Sequence, residues 1–159
     1  MGDIMKRFKP YIVAILITEL VGAASSWLTR GGVESYLENV TKPPLTPPSF
    51  IFPIVWTILF ALMGISVARI WLRPQSEQRK QSLSIFIAQL AVNFIWTLVF
   101  FNLHAFTASF LIILVLIALI ILMIKSFNKL DKFAGWLQIP YLIWVLFATY
   151  LNLAIMILN

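Results

Sequence analysis

The sequence predicts an all-α membrane protein, a bundle of five transmembrane helices forming a single domain over residues 1–159. Hydrophobic residues make up 61% of the chain and charged residues only 11%, whereas a soluble domain is about half apolar and about a quarter charged. Five segments reach the length of about 20 mostly apolar residues that a bilayer span requires. Basic residues lie in short clusters between these segments, which is typical of membrane-protein loops.

Each predicted span is helical, because an open strand cannot satisfy its backbone hydrogen bonds in lipid. In chain order the spans cover about residues 11–28, 50–72, 83–103, 106–124 and 134–158. The first resembles a cleavable signal peptide, since basic residues precede it and small residues lie near its end. The spacing of small residues argues against cleavage, because small residues at every fourth position let a second helix approach closely and so indicate a retained packing helix. These residues are Ala14, Thr18, Gly22 and Ser26.

The distribution of lysine and arginine predicts the orientation. With five spans, ten of the twelve basic residues lie on one side, and only Arg30 and Lys42 lie on the other. Because basic residues concentrate on the cytoplasmic side, the N-terminus is expected in the cytoplasm. The same clustering makes nucleic acid an unexpected partner despite the net charge of +6. The absence of cysteine excludes disulfides and cysteine–metal sites.

The longest link, at about 29–49, is predicted to be a loop that caps the bundle. It contains Gly31, Gly32 and the proline-rich run 42–48, whose prolines restrict the backbone. Long structured loops of this kind are often lids over a functional site. The link around His104 is very short, so the third and fourth spans are expected to form an antiparallel hairpin.

Aromatic and amide side chains recur on single faces of the second, third and fifth spans, at the three- and four-residue spacing of a helix. Polar groups are costly in lipid, so Asn93 and Asn152 should face the bundle interior, either toward a ligand or only in interhelical hydrogen bonds. The depth of the aromatic and amide side chains within the spans predicts an aromatic cavity in the outer half of the bundle. Such a cavity suits a flat apolar ligand. The converging side chains are predicted to be Trp56, Asn93, Trp96 and Trp144, although each tryptophan could also serve only in packing.

Glu19 lies in the middle of the first span, where a charged group is costly and often functional. Two interpretations are open: a carboxyl group that meets a ligand or relays protons, or a protonated side chain bonded within the bundle. His104 is the only histidine and has no carboxylate near it in sequence, so no metal site is expected. Phosphate-binding loops, nucleophile elbows and paired carboxylates are also absent from the sequence.

Three ordered motifs are spread along the chain, and the likeness that they carry covers nearly the whole of it. The first is the proline-rich run followed by Pro53-Ile54-Val55-Trp56, the second is Asn93-x-x-Trp96 with Phe100-Phe101, and the third runs from Pro140-Tyr141-x-x-Trp144 to Asn152. Together they resemble the translocator protein (TspO/MBR) family of tryptophan-rich sensory proteins and peripheral-type benzodiazepine receptors.

The resemblance implies a bacterial cell-membrane protein, often a homodimer, that binds porphyrins and isoquinoline- or benzodiazepine-type ligands beneath the loop. Tetrapyrrole sensing or stress regulation is the implied role, with protoporphyrin IX as ligand and no required cofactor. Arg30 or Lys42 would meet the propionates, as the two outer-side bases. Carried over by motif, the ligand-binding positions are Trp56, Asn93, Trp96, Phe100, Trp144, Ala148 and Leu151.

Three alternatives are open: a light-dependent porphyrin-degrading enzyme using Trp56 and Trp144, a transporter, and a scaffold for another membrane protein. Small residues such as Gly64 and Ala68 could serve a scaffold or a homodimer. Leu45 stands where the family usually has tryptophan, and Tyr36-Leu37 where it often has Trp-Tyr, which weakens the expectation of porphyrin affinity. No basic residue follows Tyr150, so cholesterol recognition of the animal type is not expected.

Overall fold

The computed structural model describes residues 2–159, and over this range the chain is helical without any β-strand. Five helical segments are long and apolar enough to cross a membrane, which confirms the predicted fold class. The fifth crossing is made by two helices in succession. The helices are α1 (Gly2–Asn39), α2 (Ile51–Trp71), α3 (Glu77–Phe101), α4 (Phe106–Asn128), α5 (Lys132–Trp136) and α6 (Ile139–Leu158).

Helix α1 is much longer than the predicted first span, because it continues to Asn39 through the segment expected to be loop. The buried face of this extension carries Tyr36, whose ring packs against the rings of Phe100 and Phe101 at centroid distances of 5.6 and 5.4 Å. Gly32 brings α1 against the backbone carbonyl of Phe101, where a Cβ atom would clash. These contacts outweigh the cost of about 1 kcal/mol that each glycine imposes on a helix, so the predicted start of the loop is wrong.

Small residues pack α1 against α2, as the four-residue spacing predicted. The hydroxyl of Thr18 donates to the carbonyl of Phe60 at 2.7 Å, and a Cβ atom on Gly22 would lie 2.7 Å from the Phe60 ring. From α2, Gly64 meets the backbone of Ile15, which its own Cβ would approach to 2.6 Å. This packing supports a first helix that is part of the bundle.

The assignment of Gly64 and Ala68 to a partner surface is wrong. Both residues are buried within the chain, with Ala68 only 1% exposed. Their small size serves the packing of α2 inside the bundle, so a homodimer would need a different surface. The homodimer itself stays a prediction.

The capping loop, residues 40–50, is shorter than predicted and is tied to the end of α6. The hydroxyl of Tyr150 donates to the carbonyl of Pro44 at 3.0 Å. Asn159 pairs with the backbone of Thr41 through two hydrogen bonds, accepting at 3.1 Å and donating at 2.9 Å. Leu45 has a φ of 70°, in the left-handed region that a leucine rarely adopts.

The last span is interrupted, whereas the sequence predicted one continuous helix over about 134–158. Asp131 caps α5 by accepting hydrogen bonds from the backbone N–H groups of Phe133 and Ala134. Pro140 lies in the first turn of α6, where its missing N–H breaks no hydrogen bond. The proline therefore begins a new helix, and it does not kink an existing one.

An ion-pair cluster joins α2 to the α4–α5 link. Asp131 accepts from Arg69 Nε at 2.9 Å and from Arg73 Nη2 at 3.0 Å. Burial alone would raise the pKa of Asp131, but the hydrogen bonds from Arg73, Arg69 and the Ala134 N–H hold that pKa below its ordinary value. The hydroxyl of Ser66 adds a bond of 2.7 Å to the carbonyl of Ala134.

The two ends of the bundle differ in charge. Tyr11, Arg69 and Asp131 border one small cleft, so the start of α1, the α2–α3 link and the α4–α5 link lie at the same end. The ten clustered basic residues belong to this end. Arg30 and Lys42 lie near the other end, where Asn102 of the α3–α4 turn donates to the carbonyl of Leu28. The cytoplasmic assignment of the basic end stays a prediction.

Candidate functional site

A cavity of about 640 Å³ lies among α1, α2, α3 and α6 at the end of the bundle that carries the capping loop. This volume is within the range of about 300–1,000 Å³ typical of small-molecule sites. The seven residues selected from the sequence as ligand-binding all line it; they are Trp56, Asn93, Trp96, Phe100, Trp144, Ala148 and Leu151. Their contact with a ligand stays a prediction.

Trp56 and Trp144 form the α2 and α6 sides of the wall. The Trp56 ring lies 5.7 Å from that of Phe60 and 6.3 Å from that of Tyr141, and the Trp144 ring lies 5.8 Å from that of Phe52. Both tryptophans are half-buried, and neither indole N–H has a hydrogen-bond partner within residues 2–159. Both tryptophans therefore contribute to the aromatic lining of the cavity, and both indole N–H groups are free of protein acceptors within residues 2–159.

The Trp96 side chain is fixed by a buried hydrogen bond to Asn152. Its indole N–H donates to Asn152 Oδ1 at 3.0 Å, and the Asn152 amide donates in turn to the carbonyl of Phe106 at 2.9 Å. Asn152 is fully buried, so the predicted inward orientation and interhelical hydrogen bonding of this residue are confirmed. With its N–H occupied, Trp96 presents a fixed ring and no free donor.

A buried chain of hydrogen bonds orients Asn93. Its Nδ2 donates to the hydroxyl of Tyr141 at 2.8 Å, and that hydroxyl donates to Gln89 Oε1 at 2.7 Å. In this assignment of the amide, Asn93 Oδ1 is free of partners among the described residues while the side chain lines the cavity. The polar group that Asn93 offers is therefore an acceptor.

Helix α1 supplies a whole wall of the cavity, of which the sequence analysis had named only Glu19 and Arg30 as possible ligand contacts. The available signal was the stripe of small and polar residues, which the sequence analysis assigned to packing alone. Ten residues of α1 line the cavity: Glu19, Gly22, Ala23, Ser25, Ser26, Thr29, Arg30, Val33, Tyr36 and Leu37.

Of the two outer-side basic residues expected to meet carboxylates, one lines the cavity and the other does not. Arg30 lines it, with Nη1 bonded to the carbonyl of Trp27 at 2.7 Å and the guanidinium 4.3 Å from the centre of that residue's indole ring. The Lys42 ammonium donates to the carbonyls of Leu37 and Val40 at the end of α1. The Lys42 ammonium is therefore bonded to the end of α1 and lies outside the lining, so of the two alternatives Arg30 is the one placed at the cavity.

Leu45 of the capping loop occupies the position at which the sequence analysis noted a missing tryptophan. Its side chain is 79% exposed and does not line the cavity. The loop contributes Ser49 to the lining, and Tyr36 contributes from the last turns of α1. Leu45 therefore contributes nothing to the described wall of the cavity.

The sequence of the chain matches the model of the TspO/MBR family over residues 14–158. The chain belongs to the TspO/MBR family. It is 36% identical over 147 residues to the tryptophan-rich sensory protein of Cereibacter sphaeroides, with 91% of each chain covered. Identity to the tryptophan-rich protein TspO of Chlorobaculum tepidum is also 36%, over 143 residues covering 87% of this chain and 89% of the relative.

An animal relative is more distant. The translocator protein of Bos taurus is 28% identical over 148 residues, which cover 90% of this chain and 88% of the relative. Membership of the TspO/MBR family and five membrane-spanning helices make the chain a multi-pass integral membrane protein, and its bacterial relatives indicate a bacterial membrane.

Proposed function

We propose that this TspO/MBR protein binds porphyrin or a related tetrapyrrole in the cavity, as a receptor in tetrapyrrole sensing or stress regulation. The observation that carries the proposal is the arrangement of Trp56, Trp96 and Trp144 around one cavity of about 640 Å³. Aromatic faces bind flat conjugated rings well because stacking adds to the burial of apolar area. Isoquinoline- and benzodiazepine-type compounds, which are also aromatic and largely apolar, would suit the same walls.

Polar groups at the wall would orient such a ring. Asn93 Oδ1 would accept a hydrogen bond from the ligand, and the free indole N–H groups of Trp56 and Trp144 would donate. Arg30 is suited to peripheral carboxylates because a guanidinium pairs with them through two parallel N–H groups. It would exchange its present bond to the Trp27 carbonyl for that pairing.

The proposal is tested by titrating the purified protein in lipid nanodiscs with protoporphyrin IX in the dark and following the porphyrin absorption band. Saturable binding in the micromolar range is expected. The double variant Trp56→Phe/Trp144→Phe should bind several-fold more weakly, since it loses ring area and both free donors. Trp71→Phe is the matched control, because Trp71 is 58% exposed and does not line the cavity. Unchanged affinity in the double variant would contradict this binding site.

A second candidate function is favoured by the two free indoles at one cavity, which would lie against the bound ring. In this alternative the protein is an enzyme that oxidises bound porphyrin in light, with Trp56 and Trp144 taking part. Illumination of the loaded protein in the presence of oxygen would then bleach the porphyrin band into a new product, and changing either tryptophan would abolish the loss. A stable band in light would leave the binding function alone.

A further inference from the structure

Glu19 lies at the inner end of the cavity, far from the capping loop. It follows Thr18, whose hydroxyl is bonded to the Phe60 carbonyl at 2.7 Å, and it precedes by one turn Gly22, which meets the Phe60 ring. The Phe60 ring is next to that of Trp56. Glu19 is half-buried and lines the cavity in this aromatic surrounding.

The Glu19 carboxyl group has no partner among residues 2–159. Over residues 2–159 the ion pairs are those of Asp131 with Arg69 and Arg73, and Glu19 takes part in no hydrogen bond through its side chain. The other charged residue of the lining, Arg30, is eleven positions further along α1, about 16 Å away at the helical rise. An unpaired acid at membrane depth is costly, and such residues mark ligand or ion sites.

We propose that Glu19 is a recognition group for a protonated amine, or another cationic nitrogen, carried by a flat aromatic ligand. The inference rests on the proposed function, since it gives the same cavity a charged subsite. A cation at this point would pair with the carboxylate and also face the rings of Trp56 and Phe60, which attract cations by cation–π interaction. With Glu19 at the inner end and Arg30 nearer the loop, the cavity selects ligands whose positive group enters first.

The test compares two tricyclic probes that differ in charge. Acridine is uncharged at mildly alkaline pH, whereas 9-aminoacridine is protonated there. Both are titrated into the protein in phosphatidylcholine nanodiscs, with empty nanodiscs subtracted, and probe fluorescence is followed. Wild-type protein should bind 9-aminoacridine about tenfold or more tightly than acridine, the ratio expected for one charge-assisted hydrogen bond.

Three variants show whether Glu19 causes the preference. Glu19→Gln keeps the shape and removes the charge, so 9-aminoacridine should lose about tenfold in affinity while acridine changes little. Glu19→Asp should retain much of the preference. Glu34→Gln is the matched control on the same helix, because Glu34 is exposed and outside the cavity lining.

The outcomes separate this inference from the proposed function. If protoporphyrin IX and acridine bind but 9-aminoacridine binds no more tightly than acridine, Glu19 is not a cation subsite and the aromatic binding site stands. An equal loss of 9-aminoacridine affinity in Glu19→Gln and Glu34→Gln would also overturn the inference, since surface charge would then explain it. Failure of all three compounds to saturate the protein overturns both proposals.

Discussion

The indole N–H of Trp96 on α3 and the side-chain oxygen of Asn152 on α6 are joined by a buried hydrogen bond of 3.0 Å. Through its amide, Asn152 also holds the carbonyl of Phe106 at the start of α4. One side chain therefore fixes a wall of the cavity and ties three helices together.

Replacing Asn152 by alanine leaves the Trp96 N–H and the Phe106 carbonyl without partners in a buried setting. The expected loss in free energy of unfolding is about 1–3 kcal/mol, measured by denaturant titration in mixed micelles. Asn39→Ala is the control, because Asn39 is exposed and bonded only to the nearby Ser35 hydroxyl. Equal stability of the two variants would show that the Asn152 bonds do not hold the bundle.

Two adjacent glycines in α1 should respond to alanine in opposite directions. At Gly32 the added methyl group would clash with the Phe101 carbonyl, so Gly32→Ala should destabilise the protein by about 1–3 kcal/mol. At Gly31 the same methyl group meets nothing within 4 Å, so Gly31→Ala should stabilise the helix by about 0.5–1 kcal/mol. Thermal unfolding of both variants checks the pair. If both were stabilising, the outer part of α1 would not pack against α3 as described.

The pKa of Asp131 predicts an acid-dependent loss of stability. Since this pKa is lower in the folded protein than its ordinary value of about 3.9, the ion pairs with Arg69 and Arg73 contribute fully above about pH 4. Their contribution disappears as the pH falls through the lower, folded-state pKa. Asp131→Asn should reduce the free energy of unfolding by about 1–3 kcal/mol at neutral pH and flatten its acid dependence.

The control for Asp131 is Asp3→Asn, since Asp3 is exposed near the N-terminus and forms no ion pair with residues 2–159. The measurement is the free energy of unfolding as a function of pH for the parent and both variants. A parent-like acid dependence in Asp131→Asn would assign the loss of stability to other carboxyl groups.

Filling the cavity should weaken porphyrin binding without unfolding the protein. Ala148 lines the cavity and is 8% exposed, so Ala148→Leu places a larger side chain where a ligand ring would lie. Affinity for protoporphyrin IX should fall about tenfold or more while the melting temperature changes little, because the extra atoms occupy open space. Ala91→Leu, on an exposed part of α3, is the control. Unchanged porphyrin affinity in Ala148→Leu would locate porphyrin elsewhere.

The sequence predicts the membrane class and the convergence of the aromatic side chains because both depend on local patterns. Hydrophobic length identifies a span, and the spacing of Asn93, Trp96 and Phe100 identifies a face whose polar member must avoid lipid. The seven motif residues accordingly line one cavity. Whether they bind porphyrin depends on chemistry that neither the pattern nor the cavity tests.

Features that depend on contacts between distant segments were not predictable. The helical state of Gly31 and Gly32 is decided by the packing of their helix against Phe101, which local propensity does not contain. The bond from Asn93 to Tyr141 likewise links residues that are 48 positions apart. It turns the Asn93 amide so that its oxygen is free, and no spacing rule specifies that orientation.

The unbroken outer part of α1 restricts how a ligand can enter. From Tyr11 to Asn39 the helix contains no proline and no interruption, and at about 1.5 Å per residue this stretch exceeds the hydrocarbon thickness of about 30 Å. The rim of the cavity formed by α1 is therefore a continuous helix, with no loop or proline break that would act as a flap. A shift of the short segment 40–50, or a tilt of α1 as a rigid rod on the microsecond to millisecond timescale of collective motions, would open this rim. A rigid tilt of α1 would also move the basic N-terminal segment, because both belong to the one helix Gly2–Asn39.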